Sequence, residues 1–157
     1  MIIVADSSPL VALALCDCLE ILDQLFGEVR VSQTVYAEVT IGNKAGSTKL
    51  LTYLQDKVRE ANLDLHIIGG DTIDKGELTS IALYKHLNAD YLLIDEKAGR
   101  KVAQINHVKI IGSLGVLIEA KRKNLIPRLK PYIEILRTSK THFSEELLNY
   151  ALSVVNE

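Results

Sequence analysis

Ile2-Ile3-Val4-Ala5-Asp6-Ser7-Ser8-Pro9 sets four apolar residues against an acid and a helix start. A short apolar run bounded by turn residues is how a strand buried on both faces reads. Ser8 suits the cap of the helix that follows, and Pro9 suits its first position. Asp6 therefore stands at the carboxyl end of a buried strand, where open parallel sheets hold their ligands. The same order recurs in Tyr91-Leu92-Leu93-Ile94-Asp95-Glu96-Lys97. If both strands run parallel in one sheet, Asp6 and Asp95 share a rim.

Working outward, residues 28–31 read as a second strand, 65–68 as a third ended by Gly69-Gly70, 91–94 as a fourth and 108–111 as a fifth. Helices are expected over 10–15, over 19–26 with Gly27 as the stop, and from the cap Ser32 through Val39. Leu50, Leu51, Leu54 and Val58 keep helical spacing, which predicts a helix over 48–60. Further helices are expected over 74–87, 96–106, 113 to about 123, 128–137 and 144–155. Strands separated by helices imply βαβ units, a parallel sheet and right-handed crossovers, hence an α/β fold. The chain shows no repeat, low-complexity tract or domain linker.

Composition narrows the function. At 157 residues and 48% hydrophobic, the chain fits one domain with a full core. A net charge of −2 argues against a large basic footprint for nucleic acid, though not against a local one. A site that holds metal carries excess carboxylate, and the bound ion inverts its sign. Cys16-Asp17-Cys18 has apolar surroundings and no second ligand cluster, so the thiols read as core residues suited to a reducing cytoplasm. No signal peptide and no membrane span is legible. His66, His86, His107 and His142 show no paired spacing and read as surface or structural residues.

Each acid also has an ordinary reading. Asp6 could be a turn residue, but Ser8 beside Pro9 is the better cap. Asp95 could cap the helix after it. Asp74-Lys75-Gly76-Glu77 is a capping-box pattern. Gly76, however, is disfavoured in a helical turn and permits something to approach closely. Glu38, alone, would be a solvated helix residue. Glu96 points away or supports the site from outside. Lys97, Arg100 and Lys101 lie on the helix beside Asp95, and Arg100 is the best candidate for a phosphate clamp. Lys121-Arg122-Lys123 sits where a helix C-terminus favours cations anyway.

Taken together the pieces form a pattern. Val4-Ala5-Asp6-Ser7-Ser8-Pro9-Leu10-Val11-Ala12-Leu13-Ala14, Gly76-Glu77, Leu92-Leu93-Ile94-Asp95-Glu96-Lys97-Ala98-Gly99-Arg100-Lys101-Val102-Ala103, Ile111-Gly112-Ser113-Leu114-Gly115-Val116-Leu117 and Ala120-Lys121 resemble the PIN domain, near the VapC-type toxin ribonucleases. The resemblance covers roughly residues 1–127, with 128–157 as a helical extension of the same domain. It implies a three-layer α/β/α fold around a mostly parallel five-stranded sheet. It also implies that Asp6, Glu38, Glu77 and Asp95 are the acidic quartet, with Asp6, Glu77 and Asp95 on Mg²⁺ or Mn²⁺ and Ser7 and Glu96 supporting. Such ions prefer oxygen ligands. The implied substrate is RNA, cut to a 3′-hydroxyl and a 5′-phosphate. A small antitoxin and a homodimer are the implied protein partners. Two departures stand out: the third acid is Glu77 where Asp is common, and Leu93 lies where many members have Thr or Ser.

Rival α/β folds fit less well. A receiver domain wants an acidic pair after strand one and a phosphoacceptor Asp after strand three. A dehalogenase-like phosphatase wants an Asp-x-Asp pair where this chain has Asp6-Ser7-Ser8. A PIN fold without catalysis, binding RNA or protein, is the remaining alternative.

Overall fold

The computed structural model describes residues 1–140 and 143–157. A five-stranded sheet runs in the order β3-β2-β1-β4-β5, with β1 at Ile2–Ala5, β2 at Glu28–Ser32, β3 at Val58–Arg59, β4 at Tyr91–Leu93 and β5 at Ile110–Ile111. Every pairing is parallel. The helices are α1 (Ser7–Leu15), α2 (Glu20–Phe26), α3 (Gln33–Thr40), α4 (Ser47–Tyr53), α5 (Lys75–Leu87), α6 (Lys97–Ile105), α7 (Ser113–Arg122), α8 (Lys130–Thr138) and α9 (Glu145–Val154).

Strand alternation sorts the core into two layers. Ile3, Ala5 and Leu93 face a cluster built with α1, α2, α7, α8 and α9. Val4, Leu92 and Ile94 face a second cluster with Ile81 and Leu83 of α5 and Val102 of α6. Successive side chains of a strand point to opposite faces, so both layers need apolar residues and the strand reads as one continuous apolar run. This is the three-layer α/β/α arrangement. Cys16 and Cys18 are free and buried, as their apolar context requires. No helix among the described residues is long and apolar enough to cross a membrane.

Three expectations are corrected. The third strand is not residues 65–68. Leu65 and Ile68 are exposed there, and Asn106 grips Ile68 through both its backbone N–H (2.9 Å) and its carbonyl (2.8 Å). The strand lies instead inside the stretch read as helix 48–60. That helix stops at Leu54, and Val58 pairs with Val31 on the open edge of β2. An edge position needs only one neighbour, so two residues suffice. Finally, Ser8 does not cap α1. Asp6 holds the extended N-cap conformation, φ −87° and ψ 171°, and Pro9 lies buried within the first turn, where no N–H is needed.

The C-terminal helices belong to the same core: Leu129, Ile133 and Leu136 join Leu148 and Ala151 in the first cluster. The Glu157 carboxylate accepts hydrogen bonds from the N–H groups of Leu129 (2.7 Å) and Lys130 (3.1 Å), satisfying the N-terminus of α8. Arg137 of α8 pairs with Glu145 of α9 at 3.0 Å.

Candidate active site

Strand order reverses between β1 and β4, since β1 continues to β2 on one side and to β4 on the other. The crevice at such a switch point, beyond the strand carboxyl ends, is the usual ligand site of open α/β sheets. Asp6 and Asp95 both stand there. Ala5 is in register with Leu93, and the Asp6 N–H donates to the Leu93 carbonyl at 2.9 Å.

Asp6 is 3% exposed. Ser80 of α5 donates to its Oδ1 at 3.3 Å and to the Gly76 carbonyl at 2.8 Å. Burial pushes the Asp6 carboxyl up to about 7, and the charges of Glu77, Asp74 and Glu38 push the same way. Glu77 is 6% exposed and is likewise raised to about 7, by burial first and then by Asp74 and Glu96. Among the described residues no lysine or arginine forms an ion pair with Asp6, Glu38, Glu77 or Asp95. Like charges held together without a counter-charge favour protonation, or a cation from outside.

Three glycines let the acids approach the backbone. A Cβ at Gly76 would stand 2.8 Å from both oxygens of Glu38, which itself accepts a hydrogen bond from Ser7 Oγ. A Cβ at Gly99 would stand 2.6 Å from Ile94 Cδ1 and 3.0 Å from Glu77 Cδ. A Cβ at Gly112 would stand 3.0 Å from Asp95 Oδ1 and 3.1 Å from Arg100 Nη1. Gly76 was legible as a point of close approach, and Glu38 is what approaches. Gly99 has buried neighbours on both sides, so the Gly99→Ala protein should melt at lower temperature, by about 1–3 kcal/mol of overpacking. An unchanged thermal melt would contradict this packing.

Asp95 differs from the others. Its two oxygens accept 2.8 Å hydrogen bonds from the N–H and the Oγ of Ser113, so it caps α7 rather than the helix directly after it. Burial raises its carboxyl, while Ser113 and Arg100 oppose the rise. Arg100 Nη1 donates to the Ile94 carbonyl at 2.8 Å, which fixes the guanidinium beside Asp95. Glu96 is exposed, 3.5 Å from Ser8 Oγ.

The four acids thus occupy one rim, but unequally. Asp6, Glu38 and Glu77 lie within electrostatic reach of one another, joined by Ser80, Ser7 and Gly76. Asp95 stands beside them, turned to Ser113. A groove of about 1520 Å³ opens here, bordered by Ser7, Glu38, Asp95, Glu96, Lys97 and Arg100. Asp6 and Glu77 are not part of its wall, and neither is the exposed Lys101. Among the described residues no three His, Cys, Asp or Glu side chains are grouped closely enough to enclose a metal ion as they stand. The donor set itself, carboxylate oxygens that form no ion pair among the described residues, with Arg100 near Asp95 alone, suits Mg²⁺ or Mn²⁺. His142 lies outside the described residues.

Sequence reading missed Asp74, Ser80 and Ser113 as parts of the site. Asp74 shows its ordinary role too, since its Oδ1 accepts from the Glu77 N–H at 2.8 Å. Ser80 had a usable signal, lying three residues beyond Glu77 and so on the same helix face. Ser113 had a weaker one: it follows the fifth strand as Asp95 follows the fourth, on the same rim, though only the fold brings the two into contact.

Buried carboxylates at the switch point of a parallel sheet, beside an open groove, stand where the open α/β class places its ligand sites and mark a candidate site. The chain belongs to the PIN-domain family, whose model matches residues 2–157. PIN domains are generally nucleases and typically use divalent metals. No curated protein and no solved structure matches the chain.

Proposed function

We propose that this PIN domain is a Mg²⁺- or Mn²⁺-dependent endoribonuclease acting in the cytoplasm. The observation that carries the reading is the crowding of Asp6, Glu38 and Glu77 at the switch point with no ion-paired lysine or arginine among the described residues, beside a groove that Glu38 and Asp95 line. Asp6, Glu77 and Asp95 would hold the ion. When bound, it supplies an activated water and a positive charge against the developing phosphorane. Glu38, held by Ser7, orients the attacking water. That water attacks phosphorus, the P–O3′ bond breaks, and a 3′-hydroxyl and a 5′-phosphate result. Lys97 and Arg100 hold flanking phosphates, and Glu96 tunes the rim. Lys101 completes the local basic face. Within this reading the chain is the toxin of a toxin–antitoxin pair, restrained by a small protein, and works as a homodimer.

The test is cleavage of a mixed single-stranded RNA panel with Mn²⁺ or Mg²⁺, against EDTA. Cleavage that chelation abolishes supports the reading; intact RNA in every lane overturns it. A second reading, a PIN-like module that binds RNA or protein without cutting, draws on Asp95, whose oxygens are both engaged by Ser113. Metal-independent RNA binding with no cleavage would favour it.

Gly76→Ala separates shape from stability. The atoms nearest the new methyl belong to the tip of Glu38, and alanine is the better helix former, by up to about 1 kcal/mol in a helix interior and less in this first turn. The expected result is a melting temperature unchanged or raised, with cleavage reduced about 10- to 100-fold by the displaced carboxylate. Full activity in Gly76→Ala would remove Glu38 from the mechanism.

A further inference from the structure

The groove does not end at the acids. It continues to α9 and to the segment before it, where Lys140, Phe143, Leu147 and Tyr150 line it. Apolar side chains, Val11 of α1 and Ile118 of α7 among them, share its wall. Lys44, Lys97, Arg100 and Lys140 line it as well, Lys97 and Arg100 on the helix that follows Asp95 and Lys140 beyond α8. Lys97 and Lys140 are exposed and form no ion pair among the described residues. Of the eight aromatic residues, only Tyr150 is exposed, at 63%. An exposed tyrosine on a well-formed helix, facing a cavity, keeps a large flat face in water. Single-stranded RNA offers the complement of such a trough, with phosphates for the lining lysines and flat bases for the exposed aromatic.

We propose that α9 supplies a base-binding subsite, in which Tyr150 stacks on a nucleotide distant from the cleaved bond and Lys140 holds a neighbouring phosphate. This rests on the ribonuclease reading of the acid rim and deepens it. Stacking on a tyrosine is tolerant of base identity, so the subsite sets the reach of the substrate rather than its sequence. It requires a strand long enough to extend from Asp95 to α9.

The experiment is fluorescence-anisotropy binding of a labelled single-stranded RNA in EDTA, where nothing is cut, with the full chain and its Tyr150→Ala, Tyr150→Phe and Lys140→Ala variants. Circular dichroism verifies that each variant is folded. Tyr150→Ala is expected to weaken binding about 5- to 100-fold and Tyr150→Phe to restore it, because the ring and not the hydroxyl does the stacking. Lys140→Ala should reduce the slope of log K against log salt by about 0.7, one phosphate's worth for a single strand. Equal binding by the folded Tyr150→Ala protein overturns the proposal, as does a groove that takes an amphipathic peptide and no RNA. Tyr150-dependent binding without cleavage in Mn²⁺ would sustain the subsite while refuting the nuclease. Cleavage indifferent to Tyr150 would do the reverse.

Discussion

Asp6→Asn is expected to lower Mn²⁺-dependent RNA cleavage at least about 100-fold and, in EDTA at pH 8, to make the protein more stable. Both effects have one origin. Asp6 is 3% exposed, with Glu77, Asp74 and Glu38 in electrostatic reach and no ion-paired cation. An ionised carboxylate there is unfavourable for folding and is what a divalent cation would need. Asparagine keeps the shape and the contact with Ser80 but removes the charge. The activity loss corresponds to about 3 kcal/mol of lost transition-state stabilisation. The stability gain should be on the order of 2 kcal/mol, since a carboxyl raised to about 7 is held well above its ordinary value of 3.8. Cleavage assays and urea denaturation of the same preparations check both. An active Asp6→Asn enzyme would end the metal-site assignment, and a destabilised one would show that the Asp6 charge has an unrecognised partner.

Stability should also respond to pH in the direction opposite to ordinary acid denaturation. Asp6 and Glu77 both have folded-state values of about 7, above their unfolded ones near 4. Between those limits the native state retains protons that the unfolded chain has released. The free energy of unfolding therefore falls as pH rises through the window from 4 to 7. The stability these groups contribute is complete below about pH 4 and gone above about pH 7. Over pH 5 to 8 the expected loss is a few kcal/mol in EDTA. Mn²⁺ should recover much of it at pH 8, by about 2.7 kcal/mol at a hundredfold excess over its dissociation constant, and little at pH 5, where protons compete. The Asp6→Asn/Glu77→Gln double variant should lose the metal response and most of the slope, leaving only the share of the raised Asp95. Asp95, also raised by burial, adds to the slope in the same direction, whereas the carboxyls held below their usual range, Asp56 by Lys57 and Glu157 by the Leu129 N–H, titrate at lower pH. Greater stability of the unaltered chain at pH 8 than at pH 5 in EDTA would contradict the charge crowding.

What the sequence discloses about this fold depends on how many neighbours an element needs. β1 and β4 are buried on both faces and flanked by strands on both sides, so only apolar residues serve, and the runs at 2–5 and 91–94 announce them. β3 is a two-residue edge strand whose existence depends on the open side of β2, and nothing local to Val58 and Arg59 signals it. The apolar run at 65–68 misleads because Asn106, distant in sequence, fastens it as a loop. The site divides along the same line. Asp6 and Asp95 were visible as acids at strand ends, and Gly76 as a glycine out of place. Ser113 on Asp95, Glu38 against Gly76 and Tyr150 in the groove are tertiary pairings, and one chain read alone contains no record of them.

The bond from the Asp6 amide to the Leu93 carbonyl joins the two central strands of the sheet, and the rim acids are mounted on that seam. The edge strand β3 can fray without disturbing it, because β3 pairs with β2 and with neither β1 nor β4. In amide hydrogen exchange, Asp6 should therefore belong to the slowest class, exchanging only when the whole molecule opens, while Arg59 exchanges through local fluctuations. The acid rim would then share the lifetime of the native state itself: a mutation in β3 that loosens that edge would leave the surviving folded molecules with an intact site, and lost activity would track their number and not their quality.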